Sequence, residues 1–413
     1  MKKIISIGAG HGGIITSSIL SKNGFDITIY EKNKEDNLGY DWEDIFDITP
    51  FLKLGIPILK YKVNKQKNPM TIYNPSKKYK IKNKTNSRKI FMNRKELYKC
   101  LIDYAKESGV KFKFNSCVDD IIIKNDKVIG ITVDNKAVFA DLIIDSSGVD
   151  SKFSINIPEI EKIKPNEIFH IVRNIEKINS KNIKNDVFIS TKRGISWIIE
   201  NNCKDILIGS IGNLEDEYID DEKKKLGVEF NNYKKYKIPV RRPLSQFVYN
   251  GYAMIGDSAA MTIPLNGSGL SLCALASKIL SDVIIANKDS EFNKELLWQY
   301  QKLYYDSVSY SLSVLDAFKI LLLKLDDKEL NYIFKNINGY DKNSIIKRVV
   351  VIIKNIKNFK FIKQISNLLE LRKEIKKVCK NIPENYDINK VNIWKDKYNL
   401  LFKDILKWLN IRW

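Results

Sequence analysis

Gly8, Gly10 and Gly13 fit the spacing G-x-G-x-x-G within Gly8-Ala9-Gly10-His11-Gly12-Gly13, and Glu31 stands eighteen positions after the last of them. Residues of these types at this spacing suit the cradling of a dinucleotide. Gly8 permits a tight turn, Gly10 lets backbone approach a diphosphate, and Gly13 lets a helix pack close on a strand. A helix starting here offers free N–H groups and the positive end of its dipole to phosphate. Glu31 is placed to accept hydrogen bonds from a ribose. Other α/β proteins also carry glycine-rich turns, so the flanking elements must decide. On these residues alone FAD and NAD both stay open.

Those elements are present in order. Residues 4–7 form an apolar run that reads as a buried parallel strand. Small and apolar residues from Ile14 to Leu20 suit a helix, and Gly24 sits where it should end. Residues 26–30 then read as a second strand that delivers Glu31 at its end.

Length and composition narrow the class. The 413 residues suffice for two or three domains, and 44% hydrophobic content is that of a globular protein. Met1-Lys2-Lys3 leads straight into the first strand, which suggests no secretory leader. No eighteen-residue apolar run suggests a membrane span. The five cysteines (Cys100, Cys117, Cys203, Cys273, Cys379) include no C-x-x-C pair, which argues against a metal site and suits a reducing cytoplasm. His11 and His170 are the only histidines, so histidine acid–base catalysis has almost no candidates. The net charge is +21, and the last 73 residues hold 18 Lys and Arg against 7 Asp and Glu. A Lys-, Asn- and Ile-rich genome explains much of this excess. Its unevenness also fits an anionic membrane surface or an acidic partner protein. No motif accompanies it that would mark nucleic-acid binding.

Further along, Tyr40 and Trp42 in Gly39-Tyr40-Asp41-Trp42-Glu43-Asp44 either face a ligand or pack at a domain junction. Residues 90–107 read as a lead-in and a helix. The turn pairs Asn125-Asp126 and Asp134-Asn135 link residues 127–133 and 137–144 into a meander that runs into Asp145-Ser146-Ser147-Gly148-Val149-Asp150-Ser151. Residues 152–243 alternate as an antiparallel sheet with one exposed face, and they include a charged helix near 220–235. A buried strand then ends in Gly256-Asp257 and leads through Ile263-Pro264-Leu265-Asn266-Gly267-Ser268-Gly269-Leu270 to an apolar helix reaching residue 286. Everything after Ser290 reads as helix.

This ordered set resembles the FAD-dependent oxidoreductases of the para-hydroxybenzoate-hydroxylase-like fold, and within them the geranylgeranyl reductase branch. The motifs carrying it are the glycine fingerprint with Glu31, Arg94-x-x-Leu97, the Asp145–Ser151 element, and Gly256-Asp257 followed by Pro264-x-x-Gly267-x-Gly269. The resemblance covers about residues 1–290. It implies an α/β chain with an α+β second layer: a Rossmann-type FAD-binding domain (residues 1–50, 90–151 and 244–290), an antiparallel-sheet substrate domain (51–89 and 152–243) and a C-terminal helical region (291–413). It also implies roles. Gly8, Gly10, Gly12 and Gly13 would hold the FAD diphosphate, and Glu31, with Lys32 beside it, the adenosine ribose. Arg94 would neutralise phosphate, Val118 would meet adenine through its backbone, and Gly148 belongs to the same cradle. Asp257 would bond the ribityl chain. Pro264, Gly267, Gly269 and Leu270 would approach the isoalloxazine ring, with the next helix N-terminus facing its pyrimidine side, where reduced flavin carries charge.

The branch has an aromatic substrate strand, broadly Tyr-x-Trp-x-Phe-Pro followed by Gly-x-Gly. Here Gly194-Ile195-Ser196-Trp197-Ile198-Ile199-Glu200 keeps only Trp197, with Gly209 and Gly212 downstream. Trp197 is either a substrate contact or a core tryptophan. The implied activity is hydride transfer from reduced FAD to a C=C bond of an apolar, prenyl- or lipid-like substrate. The alternative is an FAD-dependent monooxygenase acting on an aromatic or apolar molecule, and a flavin-holding assembly protein is a third reading. Flavin halogenases fit less well, because Trp-x-Trp-x-Ile-Pro is not present at Trp197. No side chain is assigned as catalytic. With a single dinucleotide fingerprint, electrons would come from transiently bound NAD(P)H, or from ferredoxin or flavodoxin attracted by the basic surface. The basic, aromatic-tipped segments 345–365 and 394–413 either pack over the flavin domain or form a dimer face, or lie on an anionic membrane. That last reading would add peripheral membrane contact to a cytoplasmic protein.

Overall fold

The structure, a computed structural model, describes every residue except 41, 66–69, 83–87, 178–183, 191–193, 201–202, 338–358 and 409–413. In chain order, β1 (Lys3–Ile7), α1 (His11–Lys22) and β2 (Asp26–Tyr30) open the fold. Next come β3 (Glu43–Asp47), α2 (Thr49–Lys53), β4 (Val63–Lys65), β5 (Thr71–Tyr73), β6 (Lys80–Lys82), β7 (Lys89–Asn93) and α3 (Arg94–Glu107). Five strands follow: β8 (Lys111–Lys113), β9 (Val118–Lys124), β10 (Lys127–Val133), β11 (Lys136–Phe139) and β12 (Leu142–Asp145). The middle holds β13 (Ile168–Lys177), β14 (Lys184–Ser190), β15 (Gly194–Glu200), β16 (Cys203–Ile211), α4 (Asp216–Leu226) and β17 (Lys234–Pro239). Then β18 (Val248–Tyr249), β19 (Tyr252–Met254), α5 (Leu270–Ala286), α6 (Lys294–Tyr304), α7 (Tyr310–Leu322), α8 (Asp327–Ile337), α9 (Phe359–Lys380) and α10 (Ile388–Trp408) complete the chain.

A six-stranded sheet in the order β18-β19-β12-β1-β2-β8 forms the first layer. Its β1 lies parallel to both β2 and β12, and β12 is parallel to β19. Ile4, Ile5 and Ile7 are buried, as the continuous apolar run of an inner parallel strand requires. A seven-stranded sheet in the order β17-β13-β16-β15-β14-β5-β6 forms the second layer. It is antiparallel throughout except where β14 and β5 run parallel. Two three-stranded sheets, β11-β10-β9 and β3-β7-β4, flank them. The architecture is the α/β fold with an antiparallel second layer and helical C-terminal part that the sequence suggests.

Three details differ. Residues 137–144 are not one strand, because the chain changes sheets at Asp141. Ala140 N still bonds Ile129 O at 3.0 Å, while Asp141 N bonds Lys3 O at 2.8 Å, so β11 ends on β10 and β12 starts beside β1. The charged helix is α4 and stops at Gly227, whose φ of 67° caps it in the left-handed region; Lys234 and Lys235 therefore belong to β17. The lead-in to α3 is itself a strand, β7. The meander turns agree with expectation: Asn125-Asp126 and Asp134-Asn135 have φ of 49°, 61°, 49° and 58°, the positive pairs that two-residue hairpin turns need.

The described residues after Ser290 are helical apart from short connections, including a π turn at Tyr305–Ser309. Most of segment 345–365 lies outside the described residues. In α10, Trp394, Tyr398, Phe402 and Ile405 are buried. Trp394 stacks on Tyr398 (5.5 Å between centroids) and meets Tyr305 edge-on at 5.1 Å. These side chains pack over the rest of the molecule, which favours the packing reading of this helix. Among the described residues no helix is long and apolar enough to cross a membrane.

Candidate functional site

The ends of β1, β12 and β19 converge on the N-terminus of α1, and this convergence explains the glycines. A Cβ on Gly10 would stand 2.5 Å from the carbonyl oxygen of Ser146. One on Gly13 would meet Ser146 Oγ and Ser6 Oγ at 2.1 and 2.6 Å, and one on Gly12 would meet Ile255 Cγ1 at 2.8 Å. Gly8 has φ +81° and leaves 2.9 Å to Ser147 Cα. The chain's own close packing thus demands the fingerprint, in addition to any ligand. The first-turn N–H groups of α1 have no acceptor within the helix.

Glu31 is buried and grips the turn from β2. Its Oε2 accepts from Ala9 N at 2.8 Å, and its Oε1 accepts from the main-chain and side-chain nitrogens of Asn33, both at 2.8 Å. Lys32 is exposed. Ser116 N donates to Glu31 O at 2.9 Å, which brings the buried Val118 at the start of β9 alongside. Asp145 pins the element after β12: it accepts from Ser147 N and Oγ and from Ser151 Oγ and Tyr252 OH. Gly148, with φ +96°, has open space where a Cβ would lie.

The distant bend folds onto this cradle. Ile255 N bonds Asp145 O at 2.9 Å, and Ser277 Oγ of α5 donates to Gly12 O at 3.1 Å. Residues 256–259 make a 3₁₀ turn carrying Asp257. Pro264, Gly267, Gly269 and Leu270 lead into α5, with Gly269 its N-cap. A Cβ on Gly269 would lie 3.6 Å from Asp257 Oδ1. Gly267 needs glycine twice over, for its φ of +70° and because a Cβ would press Ile238 of β17 at 2.8 Å. That contact joins the bend to the second sheet.

Arg94 opens α3 and is held by Asp44, its Nε at 2.5 Å and Nη2 at 3.0 Å from the two carboxylate oxygens. Burial alone would raise Asp44, but the Arg94 charge and hydrogen bond, with Arg173 behind, hold it below the usual carboxylate range. Burial pushes Asp257 up to about 6 against the opposing Arg94 charge. His11 goes the other way: burial, helped by Arg94, takes it down to about 3 and keeps the ring neutral.

Trp42 lies buried where the two layers meet. Its Nε1 donates to Asp44 Oδ2 at 3.1 Å, and the Arg94 and Arg173 guanidinium carbons lie 4.8 and 4.1 Å from its ring centroid. Tyr40, itself 44% exposed, and Tyr236 each stand within 4.6 Å of the Trp42 centroid. Arg173 is in turn paired with buried Asp205 and bonds Glu43 O at 3.3 Å. On β15, Ser196 bonds Glu222 of α4, so Trp197, of opposite parity, lies on the other face with Ile195. That face packs Ile195, Leu207, Tyr236 and Ile238 around Phe169 and Ile171. Trp197 is half-buried, and its Nε1 donates to Asn185 Oδ1 at 2.8 Å.

The structure therefore gathers the fingerprint, Glu31, Asp257 and the 264–270 bend in one place, with Arg94 linking it to Tyr40 and Trp42. Sequence reasoning did not assign Asp44, Arg173, Asp205 or Tyr236. Asp44 stood within a quoted motif; Arg173 and Asp205, thirty-two residues apart, gave no signal. The glycine turn, with its left-handed Gly8, and the N-terminus of α1 that follows it fit a phosphate-bearing cofactor. Among the described residues no cluster suits a metal ion.

No family model matches the chain. The digeranylgeranylglycerophospholipid reductase of Methanocaldococcus jannaschii is 23% identical over 374 residues, covering 84% of this chain and 94% of that protein. Two other alignments, to reductases of the same name, span only 21% and 29% of those relatives' lengths. The crystal structure of a geranylgeranyl bacteriochlorophyll reductase-like protein of Thermoplasma acidophilum superposes with a TM-score of 0.78 at 18% identity, over 89% of this chain and 99% of that one. A flavin-dependent brominase, Bmp2, shares the fold more distantly, with a TM-score of 0.64 at 14% identity over 84% and 98%. The chain is thus similar in sequence to reductases of this name, and it shares the fold of the geranylgeranyl-reductase-like and other flavin-dependent proteins.

Proposed function

We propose that the protein is an FAD-dependent reductase acting on C=C bonds of an apolar, prenyl- or lipid-like substrate. The observation that carries this reading is the contact of Gly267 with Ile238, which sets the bend before α5 against the apolar face of Ile195, Leu207, Tyr236 and Ile238. The names of the relatives point to the same substrate class. When bound, FAD supplies hydride transfer, and the protein supplies position and exclusion of water.

Gly8, Gly10, Gly12, Gly13 and Gly148 would admit the diphosphate, and Glu31, Lys32 and Val118 the adenosine part. Arg94 would face phosphate in an orientation fixed by Asp44. Asp257 would bond the ribityl chain, and Pro264, Gly267, Gly269 and Leu270 would border the ring. Trp197 and Tyr40 would line the substrate side, with Trp42 behind them. Electrons would come from NAD(P)H, or from an acidic ferredoxin or flavodoxin drawn to the +21 surface. Turnover with the protein donors would then fall steeply with added salt, whereas turnover with NADPH would not.

The test is anaerobic incubation of the reduced, FAD-loaded protein with a geranylgeranylated glycerolipid, followed by mass spectrometry. Gain of one H₂ per double bond supports the proposal. An unchanged lipid, with rapid substrate-stimulated oxygen uptake on an aromatic compound in air, would establish the monooxygenase instead.

A further inference from the structure

Residues 48–95 carry 14 Lys and Arg and no Asp or Glu, although the whole chain has 49 acidic residues. This segregation is sharper than that of the last 73 residues, where 7 acidic residues offset 18 basic ones. Among the described residues, Lys53, Lys60, Lys62 and Lys89 are exposed, and none lies within ion-pair distance of a carboxylate. Elsewhere on the surface lysines are paired, as Lys106 is with Glu35, Lys111 with Asp26 and Lys127 with Glu291. Of the neighbouring carboxylates, Asp44, Asp47 and Asp103 are already engaged by Arg94, Thr49 N and Tyr61 OH. Two large apolar side chains stand among these lysines: Leu52 is 44% exposed and Leu59 58%. Each directly precedes a lysine, in Leu52-Lys53 and Leu59-Lys60. The segment bearing them is anchored, because Phe51, Ile56 and Ile58 are buried and Tyr104 OH of α3 donates to Leu54 O at 3.1 Å. It also adjoins the candidate site: Ser271 Oγ of α5 donates to Asp47 O at 3.1 Å, two residues before α2 begins.

We infer that this surface, built on α2, the 3₁₀ turn Ile58–Lys60 and the residues beside them, docks the protein on an anionic lipid membrane. Leu52 and Leu59 enter the boundary between headgroups and acyl chains, and Lys53, Lys60, Lys62 and Lys89 meet the lipid phosphates. A lysine stem lies along apolar surface while its ammonium group reaches a phosphate, which suits the two Leu-Lys pairs. An acidic protein would match the lysines but would give the two exposed leucines no role. The inference deepens the reading of a lipid-like substrate and rests on that reading for its purpose. The bond between Asp47 and Ser271 ties this face to the start of α5, so a docked protein holds the bend before α5 close to the lipid.

The test is sedimentation of the full chain with vesicles of phosphatidylcholine, with and without phosphatidylglycerol, at low and at high salt. The unaltered protein should pellet with the anionic vesicles at low salt and stay in solution with the neutral ones. Lys53→Gln/Lys60→Gln/Lys62→Gln should bind the anionic vesicles about a hundredfold more weakly. Leu52→Ser/Leu59→Ser should bind them about tenfold more weakly. All five side chains are exposed, so both variants should keep the melting temperature of the parent. Parental binding by either variant overturns the proposal; where the leucine variant is the unaffected one, charge alone acts and the face fits an acidic protein instead. Docking without reduction of a geranylgeranylated lipid would leave this face standing and sink the substrate reading. Reduction of that lipid in detergent, by a protein that pellets with no vesicle, would do the converse.

Discussion

The glycine cradle and the tryptophan junction lie on either side of Arg94 and are built from opposite materials. The cradle is main chain: four glycines, three strand ends and a helix N-terminus, fixed by contacts that a single Cβ would break. The junction is side chain: Trp42 among Tyr40, Tyr236 and two guanidinium groups, each guanidinium with its own carboxylate. A main-chain site tolerates almost no substitution at its glycines but leaves a short-range signature. A side-chain site draws its members from β3, α3, β13, β16 and β17 and leaves none. On the function proposed above, the cradle would hold the cofactor and the junction would border the substrate side.

Breaking the junction should have the largest effect on stability. Arg173→Met leaves the Asp205 carboxylate buried without its guanidinium and removes one of the two cations beside Trp42. Unfolding in urea should show a loss of about 4 kcal/mol, the usual result of stranding one partner of a buried pair. The double variant Arg173→Met/Asp205→Leu should recover most of it, because no charge is then left alone. If the single and double variants are equally damaged, the pair's value lies in geometry and not in charge.

In the cradle, Gly10→Ala should cost about 3 kcal/mol, since its Cβ would meet a main-chain oxygen that cannot rotate away. FAD content of the purified protein should collapse with it. Gly148→Ala is the control: the space there is open, so only the φ of +96° is strained, at about 1–2 kcal/mol. Equal losses at both positions would mean that the tight contact of Gly10 contributes nothing.

The contrast accounts for what could be read from the sequence. The limits of β2, and of α5 at residue 286, follow from a second strand ending on Glu31 and from an apolar run that begins after Gly269. Both are local signals. The switch of sheets at Asp141 is not local, because it is set by Lys3 N bonding Asp141 Oδ2 at 2.8 Å across 138 residues. The charged pattern over 220–235 runs past Gly227, and a glycine there is itself a legible stop, because it can take the left-handed φ of 67° that caps α4. Trp42 was visible as a candidate, but its partners Arg173, Asp205 and Tyr236 were not. Only the folded second sheet brings them to it.

Acidity offers a smaller test on the cradle side. A carboxyl whose pKa rises on folding, as that of Asp257 does to about 6, is most favourable to the folded state below its unfolded value. That contribution fades as pH climbs from about 4 towards 6. Relative to Asp257→Asn, the flavin-free protein should therefore lose about 2 kcal/mol of stability between pH 4 and pH 7, an amount reduced for partial solvent access. A flat difference between the two proteins across that range would show that Asp257 is solvated and unperturbed.

The smallest effect on stability should come from Trp197, where it can be set against a large effect on function. Its indole hydrogen bond goes to Asn185, and their strands already pair Trp197 with Val187 and Ile199 with Asn185. Trp197→Phe should thus cost about 1 kcal/mol, one hydrogen bond in a half-buried place. Because the same side chain lies on the face shared with Ile195, its loss should raise the KM for an apolar substrate several-fold while kcat changes less. A core tryptophan predicts the reverse, a larger loss of stability and an unchanged KM. The ratio of the two effects therefore decides whether the second sheet offers this residue to a substrate or only to its own packing.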